Sequence, residues 1–310
     1  MPADMAGPMS RAGTDDLRGA LFMTASTAGF VINDALMKAI SARMPLPPVL
    51  FLRGLWASGL LLLLLVLQGG VRYRPDGVTA RRLSLRVLCE IGATFSFLYA
   101  LFNMPIANAA AIMMVTPLVV TLGAALLFGE AVGWRRWTAI GIGFAGVILI
   151  VRPGNSHFNV YALSALVAVA FTVGRDLFTR SFPLAVPSSF VALTTALAVT
   201  VAGGVLTPLT GWGSLDLPVG LMLGAAAVGL MIGYLFIVMA MRTGDVGFVS
   251  PFRYTVLLWA LILGFVVFDE LPDGLTLAGS LIVVSTGIYT LHQGRAAQRQ
   301  AKPWPRRSAR

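Results

Sequence analysis

A few charged and amide side chains lie inside long apolar runs of this sequence. The heptapeptide INDALMK places Asn33, Asp34 and Lys38 at the end of such a run, and GRDLFTR repeats the acid and the base as Asp176 and Arg180. An acid and a base four residues apart share a helix face and can pair. Ionisable groups in an apolar helix bundle usually face a cavity. The spacing therefore predicts either ion pairs at two helix ends or two acids that border the mouths of a central pathway.

Among the other ionisable side chains within apolar stretches, three are candidate site residues. Arg53 and Arg253 each lie about 8 to 10 Å inside the start of a stretch, at about 1.5 Å per helical residue. In an internal repeat described below, Leu193 and Met113 occupy their places, so both arginines break the repeat. A guanidinium at this depth either extends to the lipid head groups or, when buried, needs an acidic partner or an anionic ligand. Glu90 is the candidate partner, and it could also carry a proton or lie at the membrane surface.

Aromatic and proline residues accompany these charges. Tyr99 follows Glu90 and Tyr254 follows Arg253, so both are predicted to contact a substrate. A planar heterocycle could stack on them while an arginine bonds its carbonyl groups. The alternative is that the aromatic rings fill helix interfaces and interfacial belts. Pro117 and Pro251 are expected to bend their helices, because proline frees a backbone carbonyl.

Composition indicates the elements that must hold these residues. The chain is 57% hydrophobic and 12% charged, with a mean hydropathy of +0.83, whereas soluble domains are about 25% charged. We predict an all-α, polytopic membrane protein, because a span needs about 20 apolar residues. Ten stretches qualify, at roughly 17–40, 48–67, 83–102, 105–128, 136–151, 159–178, 189–207, 217–241, 246–268 and 274–291. The ends, 1–16 and 293–310, are expected to be disordered tails.

The basic charge follows the predicted topology. When the stretches are numbered from a cytoplasmic N-terminus, 17 of the 23 lysines and arginines fall on the cytoplasmic side and three on the other. This bias predicts a multi-pass protein of the bacterial inner membrane with both termini in the cytoplasm. The net charge of +10 is then a property of the loops and tails, which contact lipid head groups, and no nucleic-acid partner is expected.

The sequence also contains an internal repeat. Residues 100–130 match residues 240–270 without a gap, and both segments end in Phe, one residue and Glu. We therefore predict two five-helix repeats, 17–151 and 159–291. Because five is odd, the second repeat enters the membrane from the opposite side, so the repeats are inverted. The string GIGFAG at 141–146 has no strand before it, and we interpret it as a small-residue packing face instead of a dinucleotide site.

Catalytic and metal-binding patterns are not found. The one cysteine, Cys89, excludes an intramolecular disulfide, and two separated histidines, His157 and His292, predict no metal site. No H-E-x-x-H or G-x-S-x-G string is present. We expect no catalytic residues and no cofactor, and an intramembrane enzyme is the less favoured alternative.

The order and spacing of several motifs resemble the drug/metabolite transporter superfamily, specifically its ten-helix members with two EamA repeats. The resemblance covers about residues 17 to 291. It is carried by NDALMK, FLRG, MPIANAAAIMMVTPL running to LLFGE, and FDELPD. Within that superfamily, VLFLRG and ALFNMPIA are similar to bacterial riboflavin transporters, and SPFRY and FDELPD to S-adenosylmethionine uptake transporters.

The resemblance implies a secondary transporter that works by alternating access. Riboflavin is the first substrate to test, and S-adenosylmethionine or another amino-acid-type metabolite is the second. The direction of transport, proton coupling and assembly as a homodimer stay open at this point. The residues expected to bind the substrate or to line its pathway are Asn33, Asp34, Arg53, Glu90, Tyr99, Asp176, Arg253 and Tyr254.

Overall fold

The computed structural model describes residues 8–67, 73–128, 133–152, 160–183, 185–243 and 245–300. Over these residues the chain is built of helices, with no strand. They are α1 Pro8–Ser41, α2 Leu46–Leu67, α3 Gly77–Asn103, α4 Ile106–Met113, α5 Thr116–Phe128, α6 Trp134–Val151, α7 Val160–Arg180, α8 Ser188–Thr210, α9 Leu217–Thr243, α10 Val246–Val249, α11 Thr255–Phe268 and α12 Gly274–Gln300, with a 3-10 segment, Ser250–Tyr254, before α11.

Ten helical segments of the described chain are long and apolar enough to cross a membrane. The fourth, Ile106–Leu126, is divided between α4 and α5, and the ninth, Ser250–Phe268, combines the 3-10 segment with α11. The predicted all-α fold with ten membrane spans is therefore confirmed. The spans agree with the apolar stretches of the sequence because a helix in lipid must satisfy every backbone polar group within itself.

The described residues of both predicted tails, 8–16 and 293–300, are helical. Helix α1 already begins at Pro8, a residue type favoured at the first helical position, and α12 continues to Gln300. The prediction of disordered tails is wrong for 8–16 and 293–300, because Ala, Arg and Gln are strong helix formers that prolong a helix started in the membrane. Residues 1–7 and 301–310 lie outside the described residues.

Helix α3 starts six residues before its predicted apolar stretch. Asp76 caps it, since the carboxylate accepts a hydrogen bond from the backbone N–H of Thr79 at 3.2 Å. The cap therefore explains why α3 begins in a polar segment, before its apolar stretch. At the same end of the bundle, the N–H of Asp245 donates to the carboxylate of Asp16 at 2.7 Å, so the loop after α9 contacts the first turns of α1.

The helices pack in a pattern that is the same for the two halves of the chain. The main contacts are α1 with α9, α3 with α7, α2 with α8 and α6 with α12. We exchange each span with the span at the same position in the other half of the chain. The contact between α1 and α9 then becomes the contact between α7 and α3, and the pairs α2–α8 and α6–α12 map onto themselves. The lesser contacts α2–α9 and α8–α3 exchange in the same way. This packing is the arrangement expected for two five-helix repeats related by a pseudo-two-fold axis.

The two halves of the chain share one kind of contact between a phenylalanine and a glycine. An added Cβ on Gly233 would lie 2.8 Å from the ring of Phe30, and one on Gly92 would lie 2.8 Å from the ring of Phe171. The separation from Phe30 to Phe171 equals that from Gly92 to Gly233. Each phenylalanine therefore covers a glycine of the partner helix, on α9 in one case and on α3 in the other.

We call the end of the bundle at which α1 ends the outer end and the opposite end, at which α1 begins, the inner end, following the orientation predicted from charge. Two ion pairs join loops at the outer end: Arg43 with Asp216, 3.1 Å apart, and Arg152 with Asp273. The bonds from Arg152 and from Thr276 lower the pKa of the Asp273 carboxyl to about 2. Loops that the topology assigns to one side are thus in contact with each other.

Helices α6 and α12 pack through small residues. An added Cβ on Gly279 would lie 2.6 Å from the carbonyl oxygen of Gly146, and one on Gly146 would lie 2.9 Å from the carbonyl oxygen of Gly279. The backbones of the two helices meet there without side chains between them. Within 141–146, Gly146 therefore packs as predicted, whereas nothing lies within 4 Å of a Cβ added to Gly141.

Candidate functional site

The interior of the bundle contains two walls. Helices α1 and α9 form one, and helices α3 and α7 form the other. At the outer end the walls meet, because α1 packs on α3 there. The equivalent pair in the second repeat, α7 and α9, makes no comparable contact among the described residues. The two repeats are therefore not in identical surroundings: the walls are joined at the outer end and separated toward the inner end.

Polar side chains of α1 and α2 form an outer cluster, which consists of Asn33, Asp34 and Arg53. The amide Nδ2 of Asn33 donates to Asp34 Oδ1 at 2.9 Å, and Arg53 Nη1 donates to Asn33 Oδ1 at 3.3 Å. The Nε of Arg53 is buried and has no hydrogen-bond partner. No carboxylate of the described chain lies within ion-pair distance of this guanidinium, so it retains hydrogen-bonding capacity for a ligand.

Asp34 borders a cavity of about 160 Å³ between α1, α3, α4 and α11. It is the single charged residue of the lining, which is otherwise Val31, Phe97, Ile106, Ala110, Met113, Met114, Val256 and Ala260. Ligand pockets usually measure about 300 to 1,000 Å³. A metabolite of several rings therefore fits here only if the surrounding helices move apart.

Above this cavity, Lys38 and Glu270 join the same helices at the outer end. Lys38 Nζ lies 2.7 and 2.8 Å from the two carboxylate oxygens of Glu270 and donates to the carbonyl of Met104 at 2.6 Å. Glu270 also accepts from the N–H of Ile106 at 3.3 Å. The predicted pairing of Lys38 with Asp34 is thus wrong, because the end of α11 brings a carboxylate closer than the neighbouring turn of α1.

An inner cluster lies on the opposite wall and consists of Arg86, Glu90, Arg175 and Asp176. Arg175 Nη1 is 3.3 Å from Glu90 Oε1, and Arg175 also binds Asp176 at 2.9 Å. Arg86 lies 3.7 Å from Glu90 and donates to Thr195 at 2.6 Å. Glu90 therefore pairs with arginines of α7 and of its own helix, and not with the two arginines considered as its partners from sequence.

Tyr234 of α9 lies between the two clusters. It interacts electrostatically with Glu90, Arg175 and Arg53, and its ring meets Phe30 edge to face, with centroids 5.2 Å apart. Sequence reasoning missed Tyr234, since a tyrosine in an apolar run looks like an interfacial residue. It also passed over Arg175, although an arginine beside an acid inside an apolar helix was an available signal.

Three other predicted site residues lie elsewhere. Arg253 is exposed on the 3-10 segment near the inner end. The buried side chain of Tyr254 contacts Gly287 of α12, and its hydroxyl has no hydrogen-bond partner. Tyr99 is 46% exposed and packs against Tyr161 near the outer end. None of the three lines the cavity beside Asp34.

The two prolines lie at breaks of the helices. The fourth span is interrupted by a turn at Met114 and Val115, and Pro117 is the second residue of α5. In the ninth span, Pro251 is the second residue of the 3-10 segment that leads into α11. Both breaks occur in spans that border the cavity, so the cavity wall consists partly of short helices.

Comparisons with known proteins agree with this architecture. Residues 17–152 match the EamA-like transporter family, which confirms the resemblance stated from the sequence. One crystal structure superposes with a TM-score of 0.62 at 19% identity, covering 92% of this chain and 99% of that one, and shows the fold.

Three relatives of similar length are named for small metabolites. The chain is 28% identical over 279 residues to a pseudopaline exporter of Pseudomonas aeruginosa, covering 86% of this chain and 93% of the relative. It is 27% identical over 291 residues to a riboflavin transporter of Vibrio cholerae, with coverages of 92% and 96%. It is 24% identical over 290 residues to an S-adenosylmethionine uptake transporter of Rickettsia prowazekii, with coverages of 89% and 93%.

Proposed function

We propose that this chain, which is of the EamA transporter type over residues 17–152, is a secondary transporter of the bacterial inner membrane that moves a small organic metabolite by alternating access. One observation carries the proposal: α1 contacts α3, whereas the equivalent helices of the second repeat, α7 and α9, make no comparable contact among the described residues. The walls touch at the outer end and are apart toward the inner end. Exchange of these two arrangements between the repeats would open the outer end and close the inner one.

The transport site in this proposal is the outer cluster with its cavity. Asp34 offers a carboxylate to a cationic or N–H group of the substrate, and Arg53 offers a guanidinium whose Nε has no partner to an acceptor or an anion. Asn33 holds both side chains in place, since it bonds to each. Polar groups inside a membrane bundle are costly to keep and are characteristic of substrate pathways.

Riboflavin uptake is the first substrate proposal. The flavin ring system is planar and uncharged, with an imide N–H that suits the Asp34 carboxylate and flanking carbonyls that suit the Arg53 donors. The apolar lining with Phe97 suits its ring faces. The riboflavin transporter of Vibrio cholerae, which aligns over 92% of this chain, supports the same choice.

An amino-acid-type metabolite such as S-adenosylmethionine is the second candidate. One observation favours it: the carboxylate of Asp34 and the guanidinium of Arg53 lie next to each other, joined through the amide of Asn33. A zwitterion presents an ammonium or sulfonium group and a carboxylate that complement this pair. Pseudopaline export by the Pseudomonas relative adds efflux as a direction to measure.

The deciding experiment is uptake of labelled riboflavin in a riboflavin-auxotrophic bacterium without its own carrier. Cells with this chain are compared with the Arg53→Gln and Arg253→Gln variants, which remove a buried and an exposed guanidinium respectively. Saturable uptake that is lost in Arg53→Gln and kept in Arg253→Gln supports the substrate and the site.

A verified membrane level of the protein without riboflavin uptake would contradict the first substrate proposal. Labelled S-adenosylmethionine is then tested in the same cells, and inverted vesicles measure transport in the opposite direction. Absence of transport of both compounds in both directions would contradict both candidates.

A further inference from the structure

Tyr234 faces open space inside the bundle. It is 56% exposed, although charged groups of three other helices interact with it: Arg53 of α2, Glu90 of α3 and Arg175 of α7. Glu90 and Arg175 belong to the wall opposite α9, so Tyr234 lies on the side of α9 that faces that wall. The exposed part of Tyr234 therefore borders the gap between the two walls.

The orientation of this ring is fixed by its neighbours. Phe30 lies over Gly233 and meets Tyr234 edge to face at an interplanar angle of 88°. An added Cβ on Gly29 would lie 2.9 Å from the carbonyl oxygen of Gly229, so α1 and α9 are in close contact here. Tyr234 is thus presented from a rigid helix pair, which suits recognition because little motion is lost on binding.

Tyr234 also breaks the repeat. Gly233 and Gly92 take corresponding positions in the packing, one residue out of step with the ungapped sequence match, because each is covered by a phenylalanine of the other helix of its pair. The residue after Gly92 is Ala93, which is 5% exposed and packed in a helix interface. The first repeat therefore has a small buried residue where the second has a large ring in open space. Packing of the shared scaffold does not require that ring.

We propose that Tyr234 contacts the substrate and binds a planar heteroaromatic part of it, by its ring face and its hydroxyl. The polar groups of such a substrate would reach the outer cluster at Asp34 and Arg53 on one side and the inner cluster at Glu90 and Arg175 on the other. The inference rests on the proposed function and narrows the substrate class to metabolites with a planar heteroaromatic ring. Flavins and adenine-containing compounds belong to it, and methionine alone does not.

Binding to the purified full chain tests this role. The variants are Tyr234→Leu, Tyr234→Phe and, as a control, Tyr289→Leu, because Tyr289 is an exposed tyrosine of α12. Riboflavin binding is followed by quenching of flavin fluorescence, and S-adenosylmethionine and methionine binding by calorimetry. We expect Tyr234→Leu to weaken the heteroaromatic ligand about 3- to 10-fold, the range of one aromatic contact. Tyr234→Phe should lose less affinity for this ligand, and Tyr289→Leu should bind it as tightly as the wild type does.

A labelling experiment tests the position separately. In a Cys89→Ser background, Tyr234→Cys is treated with a water-soluble, membrane-impermeant maleimide in vesicles of both orientations. We expect labelling from the inner end only, and slower labelling when the bound heteroaromatic ligand is present. A cysteine that reacts from neither side would overturn the placement of Tyr234 in open space.

The outcomes separate this inference from the proposed function. If the wild type binds riboflavin or S-adenosylmethionine and Tyr234→Leu binds it equally well, only the role of Tyr234 is overturned. If the wild type binds neither probe, the heteroaromatic substrate class itself is overturned. If methionine binds as tightly as S-adenosylmethionine, the transport proposal is unaffected, and the proposal that Tyr234 recognises a heteroaromatic ring is overturned.

Discussion

The ammonium group of Lys38 on α1 lies 2.7 Å from the carboxylate of Glu270, which follows α11 and belongs to the other half of the chain. The lysine side chain is 10% exposed, and its Nζ also bonds the carbonyl of Met104 after α3. This ion pair, with its bond to Met104, joins α1, α3 and α11 above the cavity that Asp34 borders. We call it the outer latch.

Breaking the outer latch is predicted to expose the cavity to the outer side. Removing one partner of a part-buried ion pair leaves an uncompensated charge, at a cost below the about 3 to 5 kcal/mol that is typical of a fully buried pair. We expect Lys38→Ala to raise several-fold the rate at which Ala110→Cys, on the cavity wall, reacts with an impermeant thiol reagent added to cells. The background is Cys89→Ser, so the new cysteine is the only one.

Two variants control this experiment. Arg43→Ala removes one partner of an ion pair at the same end whose side chains are about half exposed, and it should leave the labelling rate unchanged. The charge exchange Lys38→Glu with Glu270→Lys should return labelling only partly toward the wild-type rate, because the exchanged carboxylate would face the carbonyl of Met104 and the exchanged ammonium the N–H of Ile106. Equal labelling of the wild type and Lys38→Ala would show that the pair does not keep the outer end closed.

Asp34→Asn is predicted to abolish most transport without unfolding the protein. The two side chains have the same shape, and the remaining carbonyl oxygen can still accept the bond from Asn33. The loss is the negative charge on the cavity wall, and a hydrogen bond to a charged group contributes about 1.5 to 3 kcal/mol. We expect uptake to fall about tenfold or more, at an unchanged melting temperature in detergent.

Asp216→Asn is the matched control, because it removes a carboxylate from the outer surface instead of the cavity. It should transport at nearly the wild-type rate. Uptake by Asp34→Asn equal to that of Asp216→Asn would remove Asp34 from the transport site.

Two glycines of α6 are predicted to respond in opposite ways to alanine. Nothing lies within 4 Å of a Cβ added to Gly141, so Gly141→Ala should be neutral or stabilise by up to about 1 kcal/mol through helix propensity. A Cβ on Gly146 would lie 2.9 Å from the backbone of Gly279, so Gly146→Ala should destabilise by about 1 to 3 kcal/mol. Melting temperatures of both variants in one detergent measure this, and equal values would contradict the close packing of α6 on α12.

The Arg152–Asp273 pair predicts a pH dependence of stability. Because the pKa of Asp273 in the folded protein, about 2, lies below the ordinary value of about 3.9, the pair stabilises the fold above that ordinary value. This contribution is lost as the pH falls from about 4 to about 2, and it is constant between pH 5 and 8. Since the Asp273 side chain is 51% exposed, we expect less than about 1 kcal/mol.

Melting curves of the wild type and Asp273→Asn from pH 8 to 3 check this prediction. The wild type should be slightly more stable from pH 8 to 5, and the difference should shrink below about pH 4. A difference that widens on acidification would contradict the assignment of the low pKa to this pair.

The fold could be predicted because the signals for it are local. The length and hydropathy of each apolar stretch predict a span, and ten spans are found. The repeat was visible because two segments align without a gap. The starts of α1 and α3 could not be placed by hydropathy, since proline, alanine and an aspartate cap decide them outside the apolar stretches.

The partners of the charged residues could not be predicted in the same way. Asn33, Asp34 and Arg53 were identified individually, but Lys38 and Glu270 are separated by 232 positions and meet only because α11 ends beside α1. Counting helical residues from the start of the stretch predicts that Arg253 lies inside the membrane. The 3-10 segment changes the rotation per residue, and its side chain is exposed near the inner end.

The outer latch also bears on the energy supply of the cell. An inner membrane holds a proton gradient, and any continuous file of water through a protein would dissipate it. The cavity has an apolar lining with one carboxylate, and the ion pair of Lys38 and Glu270 lies between it and the outer end. In the proposed inner-membrane transporter, this contact would insulate the membrane when no substrate is present, and its loss would lower the membrane potential of resting cells.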